Sequence, residues 1–337
     1  MRRGRSTVVF VEAVLAVAAT GIAFGTPVGY TVAGVAAVAG IAGLVRRRGR
    51  GLADVAAGRL GDPAVPADLA GLHVVDVATR DGELGVAGDG QGFVVVLDAG
   101  SPPAWPLADV LDLAFTDPAR PAAVQVLVEQ WGLAGAGVDP RFGPARTYRS
   151  LPVHGFPLWN RVLLVVRHEP AWAPETVEAR GGGATGARNA LAAVAARATA
   201  RADRAGVRLR PLGADELAAL LRELGPAPDL APAADVVLGV PLGSDDAAAG
   251  AVLRALAGLD VTRSVLSVSA SALDHTLSAV VRITDARDGV AGQAAERLVA
   301  DGLATVLPGA PDEAVHATLP LAGGVGSLAD VVGQVRR

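Results

Sequence analysis

The chain has 337 residues, half of them hydrophobic but only 4% aromatic, with no cysteine and a net charge of -4. Without cysteine there is no disulfide, no thiolate nucleophile and no Cys-held zinc or iron-sulfur centre. All 30 basic residues are arginine; seven of them, against the single acid Glu12, give residues 1–50 a charge of +6 and leave -10 on the remainder, which repels phosphate backbones and argues against general nucleic-acid binding.

The first fifty residues read as a membrane hairpin. Residues 8–25 (VVFVEAVLAVAATGIAFG) and 28–45 (VGYTVAGVAAVAGIAGLV) are each about as long and apolar as a bilayer span requires. Thr26-Pro27, between Gly25 and Gly29, suits a tight reversal between them. A cleaved signal peptide is the rival, but the apolar stretch resumes after Pro27 and closes on Arg46, Arg47 and Arg48. Arginine at both ends predicts both ends on the cytoplasmic side, a multi-pass chain in the cell membrane with its soluble body in the cytoplasm. Gly21/Gly25, Ala36/Gly40 and Ala39/Gly43 are small-xxx-small pairs that let helices approach closely. Glu12, inside the first span, reads either as a functional intramembrane acid or as a side chain that snorkels to the headgroups.

Residues 51–71, rich in Gly, Pro, Ala and Asp, predict a linker. The fold class expected beyond it is α+β, in two ferredoxin-like units at 72–226 and 235–322 with a tail at 323–337. A hairpin around Asp81-Gly82 comes first. Next come a strand at 92–98, a helix at 106–115, strands at 122–131 and 160–168, a helix at 185–205 and a strand at 206–211. A helix at 213–224 and the Pro-rich GPAPDLAPA follow. The order then repeats: strand 235–242, helix 245–258, strands 261–270 and 275–284, helix 289–306, strand 314–319. Both halves read β-α-β-β-α-β, and the openings VVVLDAG and DVVLGVP suggest a duplication.

Motifs for chemistry are weak. Gly181-Gly182-Gly183-Ala184-Thr185-Gly186 satisfies GxGxxG, but about a dozen residues with Pro170 and Pro174 separate it from its strand. The downstream strand, Arg208-Leu209-Arg210, lacks the ribose-binding acid, and Ala187-Arg188 replaces the Lys-Ser/Thr of a P-loop. A loop leading into a helix and giving close packing is the simpler account; for an anion, Arg180 and Arg188 are the natural partners. His73, His154, His168, His275 and His316 lack metal-ligand spacing, and His168-Glu169 is the nearest approach to an acid-base pair. Asp76, Asp81, Asp89 and Asp98 alternate with glycine as turn residues do. Trp105, Trp131, Trp159 and Trp172 lie near element ends, where rings cover a core or anchor an interface. Arg146, Arg149 and Arg161 are candidates to line an acidic partner. No catalytic, cofactor-binding or metal-binding residue is assigned, and no cofactor.

The basic amino terminus, the two spans ending in RRRGR, the GDGQGFVVVL hairpin, the stretch from Trp159 to Leu224 with Ala179-Arg180-Gly181-Gly182-Gly183 entering a long Ala/Arg helix, and the late HATLPL together resemble EccE, a membrane component of the actinobacterial type VII (ESX) secretion system. The resemblance implies a structural, non-catalytic subunit supporting protein export across the cytoplasmic membrane, beside EccB, EccC and EccD, of which EccC is the ATPase. The competing class is a membrane-tethered enzyme or nucleotide-binding protein using the loop at 181–186. A third is an adaptor recruiting a soluble partner.

Overall fold

The computed structural model describes residues 46–47, 50–51, 71–80, 82–100, 106–132, 147, 159–225, 234–242, 247–307, 311–323 and 335–336. The predicted spans at 8–25 and 28–45, with Glu12 and the small-residue pairs, lie outside them. Among the described residues no helix is long and apolar enough to cross a membrane. The chain divides into Met1–Leu72 and His73–Arg337. In the first, β1 (Arg46–Arg47) pairs antiparallel with β2 (Arg50–Gly51).

The second unit is a mixed structure of helices on an antiparallel sheet. Its elements in chain order are β3 (His73–Thr79), β4 (Gly82–Gly88), β5 (Phe93–Gly100), α1 (Leu107–Leu111), α2 (Leu113–Thr116), β6 (Ala123–Trp131) and β7 (Trp159–His168). After these come α3 (Pro174–Glu178), α4 (Gly183–Arg204), β8 (Arg210–Pro211) and α5 (Ala214–Leu224). The later half holds β9 (Ala234–Gly239), α6 (Ala247–Ala257), β10 (Arg263–Ser271), β11 (Thr276–Asp285), α7 (Val290–Ala300), β12 (Thr305–Val306), α8 (Pro311–His316) and β13 (Val335–Arg336).

Strand order explains how one sheet serves both halves. In the earlier half β8 pairs with β5, β5 with β7 and β7 with β6; in the later half β12 pairs with β9, β9 with β11 and β11 with β10. Each half therefore lays its fourth, first, third and second strands side by side, every neighbour antiparallel. The second strands, β6 and β10, then pair along nine residues, from Arg263 opposite Trp131 to Ser271 opposite Ala123. This seam makes the sheet continuous, and β3 and β4 extend it beyond β5.

Because side chains alternate along a strand, each strand offers one set to each face. On the first face Val124, Val126, Val162, Leu164, Val95, Leu97, Leu266, Val268, Val281 and Ile283 form one core with Leu191, Val194 and Ala198 of α4, Val252 and Leu256 of α6, and Ala291 and Leu298 of α7. Each fully buried Val or Leu contributes about 1.5–3 kcal/mol of transfer free energy, so alanine-rich helices suffice. On the second face α5 packs against β3 and β4 through Leu217, Leu220, Leu221 and Leu224, spaced at one helical stripe. Its approach is close: a Cβ on Gly85 would sit 2.5 Å from the Gly213 carbonyl carbon. The α5 amino terminus is held by the Asp76 Oδ1, which accepts the Ala214 N–H at 2.7 Å.

Several boundaries differ from expectation. The helix predicted over 106–115 is broken at Asp112 into two short pieces. The strand predicted over 206–211 pairs only at Arg210–Pro211, opposite the irregularity between Asp98 and Gly100 in β5. The helix predicted to 306 stops at Ala300, where Gly302 takes φ 71° and Leu303 N–H returns to the Leu298 carbonyl. The strand predicted over 314–319 is a correction: Pro311 fits the first turn of a helix, acids follow it, and α8 forms there. β12 takes the fourth-strand place instead.

Candidate functional site at the sheet seam

The second face of the seam carries charge where the first carries valine and leucine. Glu129 on β6 is 1% exposed and lies opposite Arg161 on β7. Arg161 donates to the Glu129 Oε2 from Nε at 3.0 Å and Nη2 at 2.6 Å, and from Nη2 to the Glu223 Oε2 at 3.2 Å. Arg263 on β10 reaches the other Glu129 oxygen at 3.7 Å, and its guanidinium lies 5.5 Å from the centre of the Trp131 ring. Across β11, Arg282, 2% exposed, pairs with Asp235, which also accepts the Thr284 hydroxyl at 2.6 Å. Glu129, Glu223 and Asp235 thus balance Arg161, Arg263 and Arg282.

The network also closes a helix. Arg263 donates to the Glu223 carbonyl at 3.0 Å and Arg282 to the Leu224 carbonyl at 2.6 Å. The last carbonyls of a helix lack partners within it and carry the negative end of its dipole, so two guanidiniums there satisfy both needs. Beside them, Gln125 bridges the β10 strand and the chain after α8: its Nε2 donates to the Ser267 Oγ at 2.8 Å and the Ala317 carbonyl at 3.1 Å, and its Oε1 accepts from Ala322 N–H at 2.9 Å.

Electrostatics follow burial. Desolvation raises the Glu129 carboxyl above its ordinary value, against the lowering influence of Arg161. Desolvation works to lower the Arg161 guanidinium, but Glu129 and Glu223 outweigh it and raise it. Arg263 is lowered, chiefly by burial. The arrangement is a set of close acid–arginine pairs that also reach the chain's own backbone, with the shape of a brace.

Other candidate residues are scattered. Arg161 serves this internal network, which corrects its assignment to an acidic partner's surface; Arg146 and Arg149 lie outside the described residues. Of the glycine loop, Gly181, Gly182 and Gly183 take φ of 106°, 69° and 54°, conformations that favour glycine. A Cβ on Gly186 would stand 2.1 Å from the Val177 carbonyl oxygen, so this residue lets α4 pack on α3. The Glu178 carboxylate already lies 3.2 Å from the Cβ position of Gly182. Arg180 turns back to the Thr176 carbonyl.

His168 is fully buried, and burial lowers its pKa more than the backbone of Ala119 raises it. Glu169 accepts from Arg167 rather than from this imidazole, at 2.7 Å, and Arg167 also meets Asp89 at 2.8 Å. His275 stacks on Phe115 and His73 is exposed on β3; His154 lies outside the described residues. Among those described, no three His, Asp or Glu come together as metal ligands. Asp89 holds the turn amides of Gln91 and Gly92, and Asp98 that of Gly100; Asp81 is not described. Arg120 lies 5.1 Å over Trp172, Trp159 stands opposite Trp131 in the β6–β7 ladder, and Trp105 is not described. Glu129, Arg263, Arg282 and Asp235 escaped the sequence reading; the available signal was a charge at an inward position of an otherwise apolar strand.

Residues 157–307 match the family model of EccE, described as "Putative type VII ESX secretion system translocon, EccE". The match runs from β7 through β12 and takes in Arg161, Glu223, Asp235, Arg263 and Arg282. It bears out the resemblance read from the sequence over those residues, a little under half of the chain, and points to a component of a type VII secretion system. None of the curated proteins compared matches the chain.

Proposed function

We propose that this chain is a structural, non-catalytic subunit of a type VII (ESX) secretion membrane complex. The observation that carries the proposal is the EccE match, which crosses from the earlier half of the sheet into the later one. In support, the buried charges at the seam are matched within the chain and tie β6, β7, β10, β11 and α5 together, as a scaffold requires. The halves 72–226 and 235–322 are two ferredoxin-like units joined edge to edge; the strand order in each supports this. Residues 8–25 and 28–45 form the transmembrane hairpin, 51–71 the linker and 323–337 the tail, with the body on the cytoplasmic side of the cell membrane. Its partners are EccB-, EccC- and EccD-like subunits.

Mild-detergent extraction of the full chain from its native membrane tests this. EccC- and EccD-like proteins are expected to co-purify in fixed ratio. Recovery of the chain without them, or binding of labelled ATP or NAD that disappears in Gly183→Asp, sinks the proposal and favours the nucleotide-binding class.

A further inference from the structure

Over the seam, on the first face, a cavity of about 240 Å³ lies between α1 and α6. Its origin is a mismatch of helices: α1 has 5 residues and breaks at Asp112, while α6 has 11. The strands below are thus covered unequally. Val126, Leu164, Leu266 and Val268 make the floor, and the partly exposed Leu107 and Leu253 flank the opening.

Two features point to a ligand. Gly250 lies within α6 and lines the cavity, yet a Cβ there would meet only the Arg254 Nη1, at 3.4 Å. Alanine would fit and favour the helix; glycine leaves the space open. The same distance places the exposed Arg254 guanidinium beside Gly250, and no carboxylate among the described residues forms an ion pair with it. Among the described residues the lining is alanine, valine, leucine and glycine, so a peptide backbone or a water cluster would find few partners among them. Scaled from the ~150 Å³ apolar cavity that holds one benzene, the space takes about nine or ten carbon atoms.

We propose that this cavity binds a medium-chain fatty acid, its alkyl chain over the seam and its carboxylate against Arg254. The site is independent of the secretion role and would stand if that role failed. The test uses the full chain in a sterol-based detergent, which brings no alkyl chain of its own. Decanoate should raise the melting temperature more than hexanoate or hexadecanoate. A decanoic acid carrying a terminal diazirine should, on irradiation, label residues 107–111 and 247–257. Gly250→Leu should cut that labelling at least fivefold without lowering the melting temperature of the free protein, and Leu253→Phe provides a second filled cavity should Gly250→Leu not fold. Arg254→Gln should weaken decanoate binding about tenfold, with Arg254→Lys retaining it. Equal labelling in the filled variants, label confined to other segments, absence of chain-length dependence, or labelling blocked by a co-purifying protein whose side chain occupies the space would overturn the proposal.

Discussion

The seam strands β6 and β10 differ between their two faces: the first is apolar but for Ser264 and Gln130, whereas the second sets polar and charged groups beside Leu127 and Val265. Toward α1, α4 and α6 they present Val124, Val126, Leu266, Val268 and Ala270; toward α5 and the chain after α8 they present Gln125, Glu129, Arg263, Ser267 and Ser269. Both faces are buried, so the difference is not one of solvent. Apolar contact is non-directional and tolerates many alignments, whereas a buried carboxylate accepts few partners and is costly when it lacks them. A slip of one residue between β6 and β10 would turn each set to the wrong face. The charged face thus fixes the register that the apolar face stabilises.

The comparison breaks most sharply at Glu129. Glu129→Ala leaves Arg161 and Arg263 buried without their carboxylate and should cost about 3–5 kcal/mol, read from urea unfolding of the full chain. Replacing both Glu129 and Arg161 by methionine should recover at least half of the loss, since a buried ion pair and apolar residues of similar volume are often nearly equivalent. No recovery would show that the pair stabilises the fold beyond satisfying its own charges. On the other face Leu266→Ala should cost about 2–4 kcal/mol, with a loss that does not change between pH 5 and 8.

The smallest effect is the pH dependence of Glu129. Its folded pKa lies above the ordinary 4.5, so just above that pH the folded state binds more protons than the unfolded. Stability contributed by this group is therefore fully present below 4.5 and lost as pH rises through the folded value. The stability of the native chain relative to Glu129→Gln should fall as pH rises from 4.5, then level off. A difference that rises with pH would reverse the assigned dominance of burial over Arg161.

Much of the sheet was legible because alternation is local. GFVVVLDAG, RVLLVVRH and RSVLSVSAS announce strands within their own span. The charged face was not legible, because Glu223 meets Arg161 from 62 residues away and Gln125 meets Ala322 from 197, distances no periodicity reports. The closing strands were misjudged for a different reason. Arg210–Pro211 and Thr305–Val306 are held by neighbours rather than by their own pattern, and EAVHATLP, apolar enough for a strand, follows a proline that starts a helix. The glycine run was read correctly as packing at Gly186, since a missing Cβ there is a local demand.

The ladder between β6 and β10 has a consequence for anyone who would divide the molecule. A cut within residues 226–233 falls between α5 and β9, yet each fragment would carry away a nine-residue edge of unpaired amides and carbonyls flanked by valines. Such an edge templates aggregation. The fragments should aggregate when made apart and be recovered together in mild detergent when co-expressed, so that two polypeptides rebuild by annealing what the intact gene product keeps by covalent continuity.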